Sequence, residues 1–94
     1  MNKSDVVNEV HKELKQLGFV SKSAESKEIV DVVLNTLHHS LKSGRDVQLT
    51  GFGTFAVKPQ TFNDVNNPNN KITRMVIKFT PSRVLKERLN EKIR

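Results

Sequence analysis

The residues best equipped to do chemistry in this chain are its cations, and they are unevenly placed. Residues 71–94 hold Lys71, Arg74, Lys78, Arg83, Lys86, Arg88, Lys92 and Arg94 against Glu87 and Glu91 alone, whereas residues 1–70 hold eight Lys/Arg and eight Asp/Glu. The whole net charge of +6 therefore lies in the last quarter of the chain. Such an asymmetry points to a polyanionic partner, because ammonium and guanidinium groups set side by side neutralise phosphates. Arg74 and Lys78 fall on one side of an alternating stretch and can reach the same phosphate groups. Lys58 stands at the root of the arm that this stretch helps to form, and Lys71 near its tip. Arg83 and Lys86, three residues apart, share a helix face. Lys3 sits beside a helix N-terminus, itself a site that favours anions. Arg88, Lys92 and Arg94 read as general surface charge, with Arg88 and Lys92 flanked by Glu87 and Glu91.

Other chemistries find no constellation. There is no Cys, hence no disulfide framework and no thiolate metal site. His38 and His39 are adjacent and point to different faces of a helix, His11 is remote, and no His-x-x-x-His occurs. No nucleophile–base motif, phosphate-binding glycine loop or isolated carboxylate pair is present, so neither catalysis nor a cofactor is expected. No apolar run is long enough to span a bilayer. Met1-Asn2-Lys3-Ser4-Asp5 has no apolar segment behind it, so a secretory signal is not expected and a cytoplasmic location is.

The elements that must position these cations follow from periodicity. Val6, Val10, Leu14 and Leu17 form one face of a helix over 3–17, capped by Ser4 or Asn2 and stopped at Gly18. Ser21 or Ser23 caps a second helix over 24–43, ended by Gly44. Its apolar set, Ile29, Val30, Val32, Val33, Leu34, Leu37 and Leu41, is too broad for one stripe, which predicts burial on two sides and hence a partner chain. After Gly44 the period becomes two: Val47 and Leu49 in a short strand, a tight turn at Gly51-Phe52-Gly53, then a strand from Thr54 to Lys58. Residues 60–70 are polar and turn-prone around Pro68. A strand over 71–79 puts Arg74, Val76 and Lys78 on one face and Met75, Ile77 and Phe79 on the other. Together these make a long β-hairpin arm. Ser82 caps a last helix carrying Val84, Leu85, Leu89 and Ile93. The expected fold class is α+β: two N-terminal helices, a three-stranded antiparallel sheet with a protruding hairpin arm, and a short C-terminal helix.

Gly51-Phe52-Gly53-Thr54-Phe55-Ala56-Val57-Lys58 resembles the signature of the HU and integration host factor family of bacterial histone-like DNA-bending proteins. Met1-Asn2-Lys3-Ser4 is similar to that family's opening. Asn67-Pro68 falls where the family keeps an Asn-Pro at the tip of its DNA arm, and Phe79, Pro81, Leu85 and Lys86 resemble its lead into the last helix. The resemblance covers the whole chain. It implies an intertwined dimer on a helical base, with two arms in the minor groove and each arm's proline wedged between base pairs. Phe52, Phe55 and Phe79, with Val33, Leu37 and Leu41, are then the candidate dimer core. The candidate DNA-binding residues are Lys3, Lys58, Asn67, Pro68, Lys71, Arg74, Lys78, Arg83 and Lys86. Pro68 reads equally as a turn residue, for which Asn-Pro-Asn-Asn is suited. The chain departs from the family pattern between Pro59 and Asn66, where family arms usually carry several cations and this one carries none. The return strand is several residues shorter as well. Both features predict a shorter or differently registered arm.

The resemblance implies a single domain over 1–94, with a helical dimerisation part (1–44), sheet and arm (45–80) and terminal helix (81–94). It implies an architectural, nucleoid-associated protein that binds duplex DNA with low sequence preference through phosphates and the minor groove, bending and condensing it. The partners would be double-stranded DNA and a second copy of the chain, or a heterodimer partner. Two alternatives stand beside it: a protein-interaction module that keeps the fold with a weakened arm, and a sequence-specific bender like integration host factor.

Overall fold

A computed structural model describes residues 1–91; Lys92, Ile93 and Arg94, assigned above to surface charge and to the last helix, lie outside the described residues. The elements run α1 (Lys3–Gln16), α2 (Ser23–Lys42), β1 (Val47–Leu49), β2 (Gly53–Asn63), β3 (Lys71–Pro81) and α3 (Arg83–Glu91), an α+β chain as expected. It divides into two units, Met1–His38 and His39–Arg94.

In the first unit, α1 opens on a capping box. The Asn2 side chain accepts the Asp5 N–H and the Asp5 carboxylate accepts the Asn2 N–H, both at 3.0 Å, which decides for Asn2 over Ser4 as the cap. At its far end Gly18, at φ +80°, donates to Lys15 O while Phe19 N–H reaches back to Leu14 O, the left-handed stop that glycine permits. The covered stripe of α1 is Val7, Val10, His11 and Leu14, not the predicted Val6–Val10–Leu14–Leu17; Val6 and Leu17 are exposed. His11 belongs to it because its Nδ1 is hydrogen-bonded at 2.8 Å to Oγ of Ser26, a hydroxyl-bearing residue with no exposed surface. Buried polar groups are kept only when paired.

The start of α2 differs from the expected serine cap. Glu25 reaches back instead, its Oε1 accepting the Lys22 N–H at 3.0 Å and the Ser21 N–H at 3.4 Å. Those bonds hold its carboxyl below the usual glutamate range, the Lys22 N–H contributing most. From α2 only Ser26 and Val30 are buried; Ile29, Val32, Val33 and Leu34 stay open to solvent, Val33 by 54%. The single chain therefore leaves uncovered the second apolar side that the sequence pattern predicts.

In the second unit, Phe52 N–H donates to Leu49 O across a turn in which Gly51 takes φ +83°, a value that the third residue of a type II turn requires. The sheet is antiparallel in the order β1-β2-β3. β1 pairs with β2 from Val47↔Phe55 to Leu49↔Gly53. β2 and β3 pair from Gly53↔Pro81 to Asn63↔Lys71 without a slip, so both strands run past the predicted ends at Lys58 and Phe79. Phe55, Phe79 and Phe52 cluster, with ring centroids 4.7 Å (Phe55–Phe79) and 5.4 Å (Phe52–Phe79) apart. Phe52 and Phe79 are still 47% and 41% exposed. Gly53 is buried beneath them. Ser82 caps α3 as predicted: its Oγ accepts the Leu85 N–H at 3.1 Å, and its own N–H donates to Phe52 O.

Candidate nucleic-acid interface

Beyond Phe55, β2 has no partner but β3. The sheet thins there into a two-stranded ribbon. Pro59 shows how the ribbon tolerates a residue without an N–H. Val57 points its N–H away from β3, donating to Asp46 Oδ1 at 2.9 Å. Two residues on, Pro59 aims its nitrogen the same way, onto an open edge where no ladder bond is lost. The ribbon closes through Asp64 N–H to Asn70 O and Asn70 N–H to Asn67 O, each 2.9 Å. Asn67-Pro68-Asn69-Asn70 is therefore a β-turn with Pro68 at its second position, where a fixed φ near −65° fits. Among the described residues no non-glycine residue has positive φ, which makes the turn type I. Asp64 braces the tip by accepting the Asn66 N–H at 3.0 Å, an Asx turn. Pro68 is thus a turn residue and, exposed at the apex, also the ribbon's leading edge.

Register and alternation sort the candidate cations. One face carries, from root to tip, Ala56 opposite Lys78, Lys58 opposite Val76, Gln60 opposite Arg74, and Phe62 opposite Ile72. Lys58 lies diagonally between Lys78 and Arg74, so three cations share one patch, and among the described residues no carboxylate lies within salt-bridge distance of any of them. Like charges at diagonal cross-strand spacing repel; a polyanion lying across the face relieves that repulsion. Lys71 pairs with Asn63 on the opposite face, and so is separated from the patch to which its position in the sequence seemed to assign it. Its odd number against the even 74, 76 and 78 was the available signal.

The remaining candidates are differently placed. Lys3 is engaged: its Nζ forms an ion pair with Asp31, whose other oxygen lies 3.5 Å from Lys27 Nζ. The Lys3 hydrogen bond is the largest influence holding the Asp31 carboxyl below the ordinary aspartate range. The Lys3 side chain is still 55% exposed, so an ammonium with three donors can share a phosphate with Asp31 or exchange one for the other. On α3, Arg83 Nε is paired with Glu87 at 2.9 Å, exposed on both sides, and Lys86 has no acidic partner among the described residues. Sequence reasoning missed Gln60, Phe62 and Ile72 as members of the cationic face, since their pairing depends on where the tip turn closes. Among the described residues there is no cluster of three potential metal-ligating side chains and no helix long and apolar enough to cross a membrane.

Residues 1–90 match the family described as bacterial DNA-binding protein. The chain belongs to that family. Among its relatives, integration host factor subunit alpha of Bdellovibrio bacteriovorus is 38% identical over 95 residues, covering 96% of this chain and 82% of the relative. DNA-binding protein HU of Thermotoga maritima is 32% identical over 98 residues, covering 95% and 99%. The solved HU from Thermotoga maritima superposes with a TM-score of 0.64 at 29% identity, over 95% of this chain and 98% of that one. An Anabaena HU–DNA cocrystal structure shares the fold, with a TM-score of 0.71 at 22% identity over 95% and 97%. In this member of the bacterial DNA-binding protein family, the matched span takes in the whole ribbon and its Asn67-Pro68 apex. Along the outgoing strand Gln60, Phe62, Asn63 and Asn66 stand where the expected pattern has cations, on a ribbon whose internal pairing is intact.

Proposed function

We propose that the chain is an architectural DNA-binding protein, working as a homodimer in the nucleoid, that grips duplex DNA through its phosphates and minor groove with low sequence preference, and bends and condenses it. One observation carries the reading: Lys58, Arg74 and Lys78 share one face of a two-stranded ribbon led by Pro68, with no acidic partner among the described residues. A β-ribbon of this width fits a DNA groove, and an apolar residue at its tip can wedge a base step apart. Pro68 is the wedge in this reading, and Asn67 sets the turn that presents it. Lys86 and Arg83 extend the phosphate contacts from α3, Lys3 adds one if it exchanges Asp31 for a phosphate, and Lys71 contributes from the ribbon's other face.

The dimer rests on the uncovered apolar surface. Val33, Leu37 and Leu41 of α2 and the Phe52–Phe55–Phe79 cluster are only partly covered within one chain. A second copy would complete a core that a single small chain cannot supply. Residues 1–94 then act as one domain: 1–44 for dimerisation, 45–80 for sheet and arm, 81–94 as terminal helix. The reading assigns the chain no catalytic step.

The test is the affinity for a random-sequence duplex as a function of salt. Three ribbon cations presented twice in a dimer predict that log K falls with log[salt] with a slope at least as steep as about −5, and steeper with each further contact from α3, Lys3 or Lys71. Absence of binding at low salt, or a flat response, would overturn the reading. A second reading, sequence-specific bending in a heterodimer, is favoured by relatives named as integration host factor subunits. Competition between random and selected duplexes separates the two.

A further inference from the structure

We propose that Phe62 and Ile72 form an apolar anchor that is pressed against the minor groove of duplex DNA beside the ribbon cations, supplying a hold that does not depend on salt; this rests on the DNA-binding reading above. The two residues are directly paired across β2 and β3, on the face that carries Lys58, Arg74 and Lys78. They lie where the ribbon has no third strand, and are 42% and 38% exposed. With Asp64, Asn66 and Arg74 they line an open hollow of about 520 Å³ near the tip. Cross-strand pairing alone does not call for them. One position away, on the opposite face, Thr61 and Thr73 pair through hydroxyls 3.3 Å apart, so polar residues suffice to hold the strands together.

Charge selects the occupant of this apolar surface. The pair continues a cationic face whose three cations have no acidic partner among the described residues, so its ligand is polyanionic and must also offer apolar surface. Duplex DNA does both, with deoxyribose C–H groups walling a minor groove flanked by phosphates. Asp64, the one acid at the hollow, already accepts the Asn66 N–H. The outgoing strand has no cation beyond Lys58, so near the tip it can add to the grip only by apolar and amide contacts.

The chain contains neither Trp nor Tyr, so Phe62→Trp introduces a single fluorophore per protomer and Thr61→Trp gives a control on the opposite face. On adding a random-sequence duplex, the Phe62→Trp emission should be quenched and its access to acrylamide should fall several-fold. Thr61→Trp should change little, and poly-glutamate, a polyanion without a groove, should shield neither. In parallel, Phe62→Ala should weaken DNA binding about tenfold per protomer, hence about a hundredfold for a dimer that presents it twice, at every salt concentration, the loss expected on uncovering a buried aromatic, and leave the salt slope unchanged. If Phe62→Trp is as accessible in the complex as when free, or Phe62→Ala binds as wild type does, while wild type keeps its steep salt dependence, the anchor is refuted and the DNA reading stands. Shielding by poly-glutamate equal to that by DNA refutes the choice of occupant. If wild type shows no salt-dependent binding, the DNA reading fails and takes the anchor with it.

Discussion

Replacing Arg74 by Ala tests the cationic face most directly, because its effect depends on salt in a way no folding defect imitates. Arg74 lies opposite Gln60 and diagonal to Lys58, with no acid among the described residues to release when it is removed. The variant therefore loses phosphate contacts without exposing an unpaired partner. Each contact contributes about 0.9 to the slope of log K against log[salt]. A dimer presents Arg74 twice, so the slope should become shallower by about 1.8. Between 50 and 200 mM salt that difference changes the ratio of wild-type to variant affinity by about twelvefold. The variant should thus be much the weaker at low salt and approach wild type at high salt. Anisotropy titrations on a labelled random-sequence duplex at four salt concentrations measure both curves. Lys78→Ala should behave alike. Lys71→Ala, on the opposite face, should change the slope less than either. Parallel curves for wild type and Arg74→Ala, or a larger change for Lys71→Ala, would refute the assignment of this face.

Three further outcomes follow from particular contacts. A Cβ at Gly53 would lie 2.6 Å from the Phe79 ring and 2.6 Å from Thr80 O; since a backbone oxygen cannot swing aside, Gly53→Ala should destabilise by about 2–3 kcal/mol, a melting-temperature fall of roughly 10–20 °C for a chain of this size. Gly51→Ala meets no neighbour and suffers only from its φ of +83°, about 1–2 kcal/mol, so thermal melts showing Gly51→Ala as the worse of the two would contradict the packing argument. The Asp31 carboxyl is held below its ordinary value by Lys3, so its contribution to stability is present above about pH 4 and is lost as pH falls through the depressed folded value; denaturant midpoints between pH 2 and 7 should fall less steeply in acid for Asp31→Asn than for wild type, and an unchanged acid limb would exclude the ion pair as a source of stability. Pro68→Ala keeps a type I turn that most residues accept but removes the wedge, so energy transfer between dyes on the two duplex ends should drop; bending as sharp as that of wild type would mean that Pro68 serves the turn alone.

Most turn and capping signals, and the hairpin itself, are legible in the sequence; the side-chain partners that join distant residues are not. Asn2 with Asp5, Gly18, Gly51 and Ser82 act on their own neighbours, and each stands in the structure where capping and turn rules put it. The second helix start went to the wrong residue because Glu25, reaching back to Ser21 and Lys22, replaced the serine oxygen those rules prefer. The extent of the arm was underestimated for a physical reason. Pro59 and the amide-rich run after it have poor strand propensity, yet pairing with residues 71–81 overrides that propensity and the open edge excuses the proline. Lys3 was legible as a cation near a helix start but not as one committed to Asp31, since no spacing rule joins residues that far apart.

The ribbon's asymmetry is the point at which sequence and structure sharpen each other. The charge pattern alone shows that the excess lies late in the chain; the register shows that it reaches the arm from one strand only. Arg74 and Lys78 come from β3, and β2 adds Lys58 at the root and then Gln60 and Phe62. A grip built this way has unequal sides. In the proposed grip the returning strand would hold phosphates at long range and weaken in salt, while the outgoing strand beyond Lys58 would act only in contact, through apolar and amide groups indifferent to screening. Two such ribbons in a dimer should attract DNA electrostatically but retain it partly by fit. Residual affinity at high salt, where Arg74 and Lys78 no longer count, is then the quantity in which Phe62 and Ile72 should be visible.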